Sequence, residues 1–148
     1  MECQMCETIK NMKSDPYLII ELETGIVSLG WYQRFKGYVL FICKQHGPEL
    51  HHLPYNFKLK FLEEMAIVAE AIYNIYSPDK MNYELLGNAC PHLHWHLIPR
   101  IQGDTPDNGP VGWIPKEMFI DEATRPNEEE RSKMIADIKG EIERLRTA

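Results

Sequence analysis

Between Pro91 and Pro99 the chain alternates histidine with large apolar residues: His92-Leu93-His94-Trp95-His96-Leu97-Ile98. Successive side chains of a β-strand point to opposite faces. The segment therefore predicts a strand over His92–Ile98, with three imidazoles on one face and Leu93, Trp95 and Leu97 on the core face. Three of the chain's six histidines fall within five residues, and a merely solvated strand face has little reason to repeat histidine. A single metal ion does not explain all three. At about 3.3 Å per residue, His92 and His96 are about 13 Å apart along a strand, whereas Zn–N bonds are about 2.0–2.1 Å. Phosphoryl chemistry uses the whole set. A neutral imidazole is a competent nucleophile near pH 7. A neighbour two residues away can donate a hydrogen bond to a phosphate oxygen or leaving group, and the other neighbour can support the middle ring. His94, with a helper on each side, is the expected nucleophile, because such transfers depend mainly on positioning and charge stabilisation.

The remaining pattern supplies a frame for that strand. Tyr17–Leu22 and Ile26–Trp31 flank Glu23-Thr24-Gly25 and predict a hairpin. Gly37–Cys43, rich in aromatic and β-branched residues, predicts a third strand, and Met81–Leu86 a fourth. Phe61, Met65, Val68, Ile72 and Ile75 make one apolar stripe, which predicts a helix from Phe57 to about Tyr76 capped by Asn56 and ended by Pro78. Residues 103–115 read as a loop. A last helix is expected over about Glu128–Arg146, with Asn127 and Glu130 placed as a capping box. The order β-β-β-α-β-β-α needs no parallel crossover. It predicts an α+β fold: an antiparallel five-stranded sheet with two main helices on one side, the second following a long loop.

Composition bounds the function. A chain of 148 residues is one domain's worth. The expected division is a core over about 3–101 and a C-terminal loop and helix over 102–148. With 16 basic against 22 acidic residues, the formal charge of −6 argues against a nucleic-acid polymer as ligand. It leaves room for a small anionic substrate at a local site. The first residues lack the apolar core of a signal peptide, and no segment approaches the ~18–20 apolar residues of a membrane span. The expectation is a cytoplasmic protein whose cysteines, Cys3, Cys6, Cys43 and Cys90, are reduced or metal-bound.

The complete pattern His92-Leu93-His94-Trp95-His96-Leu97-Ile98, followed by Pro99-Arg100, resembles the histidine triad (HIT) superfamily. Lys36-Gly37-Tyr38-Val39-Leu40 and Lys44-Gln45-His46 resemble the segment before that family's first long helix. The resemblance covers about residues 3–101. It implies a nucleotide as substrate, often a homodimer, and hydrolysis or transfer at the α-phosphate through a covalent nucleotidyl-histidine. Dinucleoside polyphosphates and nucleoside phosphoramidates are the implied substrate types. Carried over, His94 is the nucleophile, His96 contacts the phosphate or leaving group, and His92 supports His94 or binds metal. Asn88 stands where members often have a phosphate-contacting Gln, and Asn82 and Arg100 are further candidates for the pocket. Leu29-Gly30-Trp31-Tyr32 lacks the Asp or Asn that often holds the ribose.

Cys3-x-x-Cys6 has the spacing of a zinc half-site. The rival reading is a redox pair, which usually sits in a βαβ context that this element order lacks; the plainest reading is two free thiols on a mobile terminus. Members with such a pair hold structural zinc through a histidine after the third strand and the first of the triad. That correspondence implies Cys3, Cys6, His46 and His92. His51 and His52 read as solvent-facing loop residues, Cys43 and Cys90 as buried apolar side chains, and Trp113 as packing for the last helix. No organic cofactor is indicated. Two alternatives remain: a nucleotide-binding scaffold with a degenerate triad, and a metal-dependent hydrolase using the strand histidines as ligands.

Overall fold

The computed structural model of the chain describes residues 2–147. Strands β1 (Leu18–Glu21), β2 (Gly25–Leu29), β3 (Val39–Cys43), β4 (Lys80–Glu84) and β5 (His94–Arg100) form one sheet in the order β1-β2-β3-β5-β4. Every neighbouring pair is antiparallel. Helices α1 (Gln4–Lys10), α2 (Tyr55–Tyr76), α3 (Lys116–Phe119) and α4 (Glu128–Arg146) complete an α+β fold, as expected. Because β5 runs between β3 and β4, the histidine strand lies inside the sheet: His96 and Leu97 are paired on both edges, and His94 and Trp95 with β3.

The alternation of β5 decides what each face carries. Leu97 and the half-buried Trp95 point into the main core with Val27, Leu29, Val39 and Phe41, where Phe61, Val68 and Ile72 of α2 and Ile138 and Ile142 of α4 meet them. Ile98, on the histidine face, joins a smaller cluster with Phe35, Tyr38, Leu40, Val111, Ile114 and Phe119. The chain between β5 and α4 thus covers part of the second face. Glu64 of α2 is buried, and its carboxylate accepts hydrogen bonds from the backbone N–H groups of Glu23 and Thr24 and from the Thr24 hydroxyl. A buried carboxylate needs such partners, and these clamp the β1–β2 turn to α2.

Several boundaries differ from expectation. The helix α2 begins at Tyr55 with Pro54 at its N-cap (φ −54°), so Asn56 lies in the first turn; proline's fixed φ and missing N–H suit a helix start. Strand β4 ends at Glu84 rather than Leu86. Strand β5 starts at His94, so His92 stands outside the regular alternation. Pro91 has no N–H to give a ladder, and the His92 ring turns to partners of its own. Helix α1 was not foreseen and buries no residue. Helix α4 matches expectation, including its capping box: Asn127 accepts from the Glu130 N–H while Glu130 accepts from the Asn127 N–H. Trp113 does not pack the last helix: it is 71% exposed and lies over Gly109, where a Cβ would overlap its ring.

Candidate active site and metal cluster

His94 is buried, 6% exposed. Its Nδ1 lies 2.6 Å from the backbone oxygen of His92. A carbonyl can only accept, so Nδ1 carries the hydrogen and Nε2 keeps a free lone pair. The backbone geometry at His92 therefore prepares His94 as a nucleophile through Nε2. The His96 ring is next to it, centroids 4.9 Å apart and nearly perpendicular. The Nδ1 of His96 is 2.7 Å from the Tyr38 hydroxyl. Burial, followed by the charge His94 can carry, depresses the His96 pKa to about 4, so its ring is neutral near pH 7.

His92 is fully buried, and its Nε2 lies 2.6 Å from the carbonyl oxygen of Cys43. The same argument puts hydrogen on Nε2 and a lone pair on Nδ1. That lone pair faces Cys3 Sγ at 3.4 Å, Cys6 Sγ at 3.6 Å and His46 Nδ1 at 3.2 Å. Cys6 Sγ is also 3.3 Å from His46 Nδ1. These four ligand atoms all lie within 4.8 Å of one another. A tetrahedral zinc ion with bonds of about 2.0–2.3 Å would separate such atoms by about 3.4–3.8 Å, close to the observed spacings. Two sulfurs and two imidazole lone pairs are a donor set that zinc takes, and the hydrogen bond to Cys43 fixes the His92 tautomer needed. Burial pushes the Cys6 thiol up, as do the hydrogen bond and charge of Cys3. Burial also opposes the Cys3 thiolate, but hydrogen bonds from Cys6, Met5 and Cys90 outweigh it and leave the Cys3 pKa lowered.

Metal at all three strand histidines does not fit this arrangement. His92 Nδ1 turns toward the cysteines, while the Nδ1 atoms of His94 and His96 are committed to a carbonyl and a phenol.

A cavity of about 80 Å³ opens at His94, lined also by Pro48, Glu49 and Leu50, by Leu85–Gly87, and by His92 and Leu93. Asn88 is exposed and adjoins the lining residue Gly87, whose φ of +74° turns the chain there. Arg100 and Asn82 lie elsewhere. Arg100 is three same-face steps along β5 from His94, about 20 Å at strand rise. Its guanidinium bonds to Asp104 at 2.7 and 2.8 Å, to Asn82 at 2.9 Å and to Thr105 at 3.2 Å, stacked over the Phe35 ring. Both residues line a separate groove of about 870 Å³ between β4 and the loop at 101–110. The structure thus brings His94 and His96 together and gathers Cys3, Cys6, His46 and His92. It gives Arg100 and Asn82 to a buried ion-pair network.

Sequence reasoning missed Tyr38. The register pairs Leu40 with His96 and Ile42 with His94, which places Tyr38, two residues before Leu40, on the histidine face; the sequence carries the alternation of Tyr38, Leu40 and Ile42, but only the strand pairing sets them beside the histidines. Cys90 is half-buried rather than buried. His51 and His52 are exposed and Cys43 is buried, as expected.

With this geometry in hand, comparison with known proteins is direct. Residues 14–103 match the HIT domain family, and the chain belongs to that family. An uncharacterised HIT-like protein of Methanocaldococcus jannaschii is 26% identical over 106 residues, covering 69% of this chain and 81% of that protein. The crystal structure of a histidine triad protein from Marinobacter aquaeolei superimposes with a TM-score of 0.75 at 27% identity, over 92% of this chain and 95% of that one. A zinc-bound histidine triad family protein from Mycobacterium smegmatis shares the fold, with a TM-score of 0.67 at 20% identity, over 99% of this chain and 97% of that one. Among the described residues, no helix is long and apolar enough to cross a membrane.

Proposed function

We propose that the protein is a nucleotide hydrolase or nucleotidyl transferase in which His94 attacks an α-phosphate. The observation that carries this is the His94 Nδ1–H bond to the His92 carbonyl, which leaves the Nε2 lone pair free on a residue that lines the cavity. In the first step the Nε2 lone pair forms a P–N bond as the bond from phosphorus to the leaving group breaks, its electron pair departing with that group. In the second, water or another acceptor hydroxyl attacks phosphorus, the P–N bond breaks, and its electron pair returns to Nε2. The incoming oxygen's proton goes to bulk solvent. Nε2–H of His96 and the Asn88 amide stabilise phosphate charge in both steps. Dinucleoside polyphosphates and nucleoside phosphoramidates are the substrate classes. Cys3, Cys6, His46 and His92 hold a structural zinc, which ties α1 to the strand carrying the nucleophile. The family resemblance and the unpaired edge of β4 support a homodimer.

The test is incubation with dinucleoside polyphosphates and nucleoside phosphoramidates. Released monophosphate is followed by chromatography, and the trapped adduct by mass spectrometry of the peptide containing His94. A monophosphate adduct on His94, and loss of at least about 10³ in turnover for His94→Ala, are expected. Full turnover in that variant would overturn the assignment. Nucleotide binding by calorimetry with no turnover of any substrate would favour a scaffold with a degenerate triad.

A further inference from the structure

We propose that Tyr38 is a positioning residue for the phosphoryl transfer: its hydroxyl holds His96 in the tautomer that presents Nε2–H beside His94, and this arrangement selects leaving groups that depart as anions. The second half rests on the phosphoryl-transfer reading above; the first stands on geometry alone.

Tyr38 Oη lies 2.7 Å from His96 Nδ1, with the two rings 12° from parallel and their centroids 5.9 Å apart. One of the two atoms must be the donor. A phenol is protonated at neutral pH, and burial pushes the pKa of Tyr38 well above its ordinary value. His96 Nδ1 is the only hydrogen-bond partner of Tyr38 Oη among the described residues, Glu84 acting on the phenol only through its charge; if Nδ1–H donated to the phenolic oxygen, the phenolic proton would go unpartnered. With O–H donating to Nδ1, each group is satisfied, and the one hydrogen of a neutral imidazole must sit on Nε2.

The pose of Tyr38 is fixed from two further sides. Phe119 presents itself edge-on at 5.6 Å. Gly30 lies against the ring so closely that a Cβ there would overlap Tyr38. The residue that follows β2 is therefore glycine for a reason visible in the structure: the phenol takes the space.

A neutral Nε2–H has a definite chemical limit. It strengthens a hydrogen bond as charge develops, but surrendering the proton would leave an imidazolate or force the buried phenol to give up its own. In the favoured reaction the His94 Nε2–P bond forms, the bridging P–O bond of a phosphoanhydride breaks, and its electron pair leaves on a phosphate oxygen. That anion accepts the hydrogen bond from His96, and no proton changes hands. An amine expelled from a phosphoramidate needs a whole proton, which this site withholds. Phosphoanhydrides are therefore the better substrates of the two classes.

The experiment has two arms. Long-range ¹H–¹⁵N spectra of the uniformly labelled protein at pH 7 report the His96 tautomer. We expect Nε2–H in the wild type and a mixture of tautomers in Tyr38→Phe, whose melting temperature checks that it folds. A wild-type ring protonated on Nδ1, or on both nitrogens, overturns the assignment. The second arm compares kcat/KM for a dinucleoside polyphosphate and a phosphoramidate of the same nucleoside. The wild type should favour the anhydride at least 10-fold, and Tyr38→Phe should contract that ratio several-fold, mainly through kcat. A phosphoramidate preference in the wild type, or an unchanged ratio in the variant, overturns the selection. If the wild type turns over neither, the phosphoryl-transfer reading fails and takes the selection with it. The spectra still decide whether Tyr38 holds His96.

Discussion

His92 and His94 are joined through a single backbone oxygen: the carbonyl of His92 accepts the Nδ1–H of His94 at 2.6 Å, while the His92 ring turns its Nδ1 to Cys3, Cys6 and His46. One residue thus belongs to the Cys/His cluster by its side chain and to His94 by its main chain. A change at the cluster that moves the His92 backbone would therefore move the carbonyl that fixes the His94 tautomer.

The first prediction follows from that double role. Chelation, or Cys3→Ser, should lower the melting temperature by several degrees, because metal bound only by the folded state contributes folding free energy. It should also reduce turnover several-fold without touching a residue at the phosphate. Elemental analysis with parallel calorimetry and rate measurements checks both. Wild-type protein that purifies with no bound metal under reducing conditions, and takes up none when zinc is added, would sink the cluster reading.

The His96 pKa of about 4 gives a pH signature. Its cross-strand neighbours on this face are Leu40 and Glu84, and Tyr38 and His94 flank the ring. The native ring resists protonation while the unfolded one titrates near about 6.5. Between these values the unfolded state binds more protons, so stability rises with pH. The contribution is fully present above about 6.5 and is lost as pH falls toward 4, amounting to at most about 3 kcal/mol. Urea midpoints from pH 4 to 7.5, wild type minus His96→Gln, isolate it from other groups. A flat difference would contradict the buried neutral ring.

Asp104 gives the clearest stability test away from the histidines. Arg100 and Asp104 form a bidentate pair in which both side chains are 8% exposed. Asp104→Ala leaves Arg100 with Asn82 and Thr105 as partners and its charge uncompensated, at a cost of about 3–5 kcal/mol. Chemical denaturation measures it, and a loss below about 1 kcal/mol would show that water reaches the guanidinium.

At α4, Asn127→Ala removes half of the capping box and should cost about 1 kcal/mol, read from the same denaturation curves.

Much of the fold was legible because it rests on short-range periodicity. The alternation of Leu93, Trp95 and Leu97 against the histidines, the stripe on α2, and Asn127 with Glu130 each state a local preference that packing then satisfied. The cluster ligands Cys3, Cys6, His46 and His92 were reachable only through family resemblance, since nothing local brings positions 3 and 92 together. The misplacement of His92 inside β5 has a physical cause: a side chain anchored by Cys43 and facing Cys3, Cys6 and His46 obeys those partners rather than the pleat. Arg100 entered as a pocket candidate with the family resemblance, as the residue after Pro99. Its guanidinium is instead committed by Asp104, Asn82 and Thr105, which come from a loop and a neighbouring strand that no spacing rule links to it.

The position of β5 also bears on how the protein opens and closes. A strand with a paired neighbour on each edge cannot exchange its amide hydrogens by peeling from the sheet; it must wait for an opening that also disrupts β3 or β4. His96, paired with Leu40 on one side and Glu84 on the other, therefore rides on one of the slowest-opening parts of the chain, and His94, paired with Ile42 alone, lies at its margin. Helix α1 buries no residue of its own, and the Cys3, Cys6, His46 and His92 group is what joins it to the slow-opening sheet; a metal held there would set how often α1 frays.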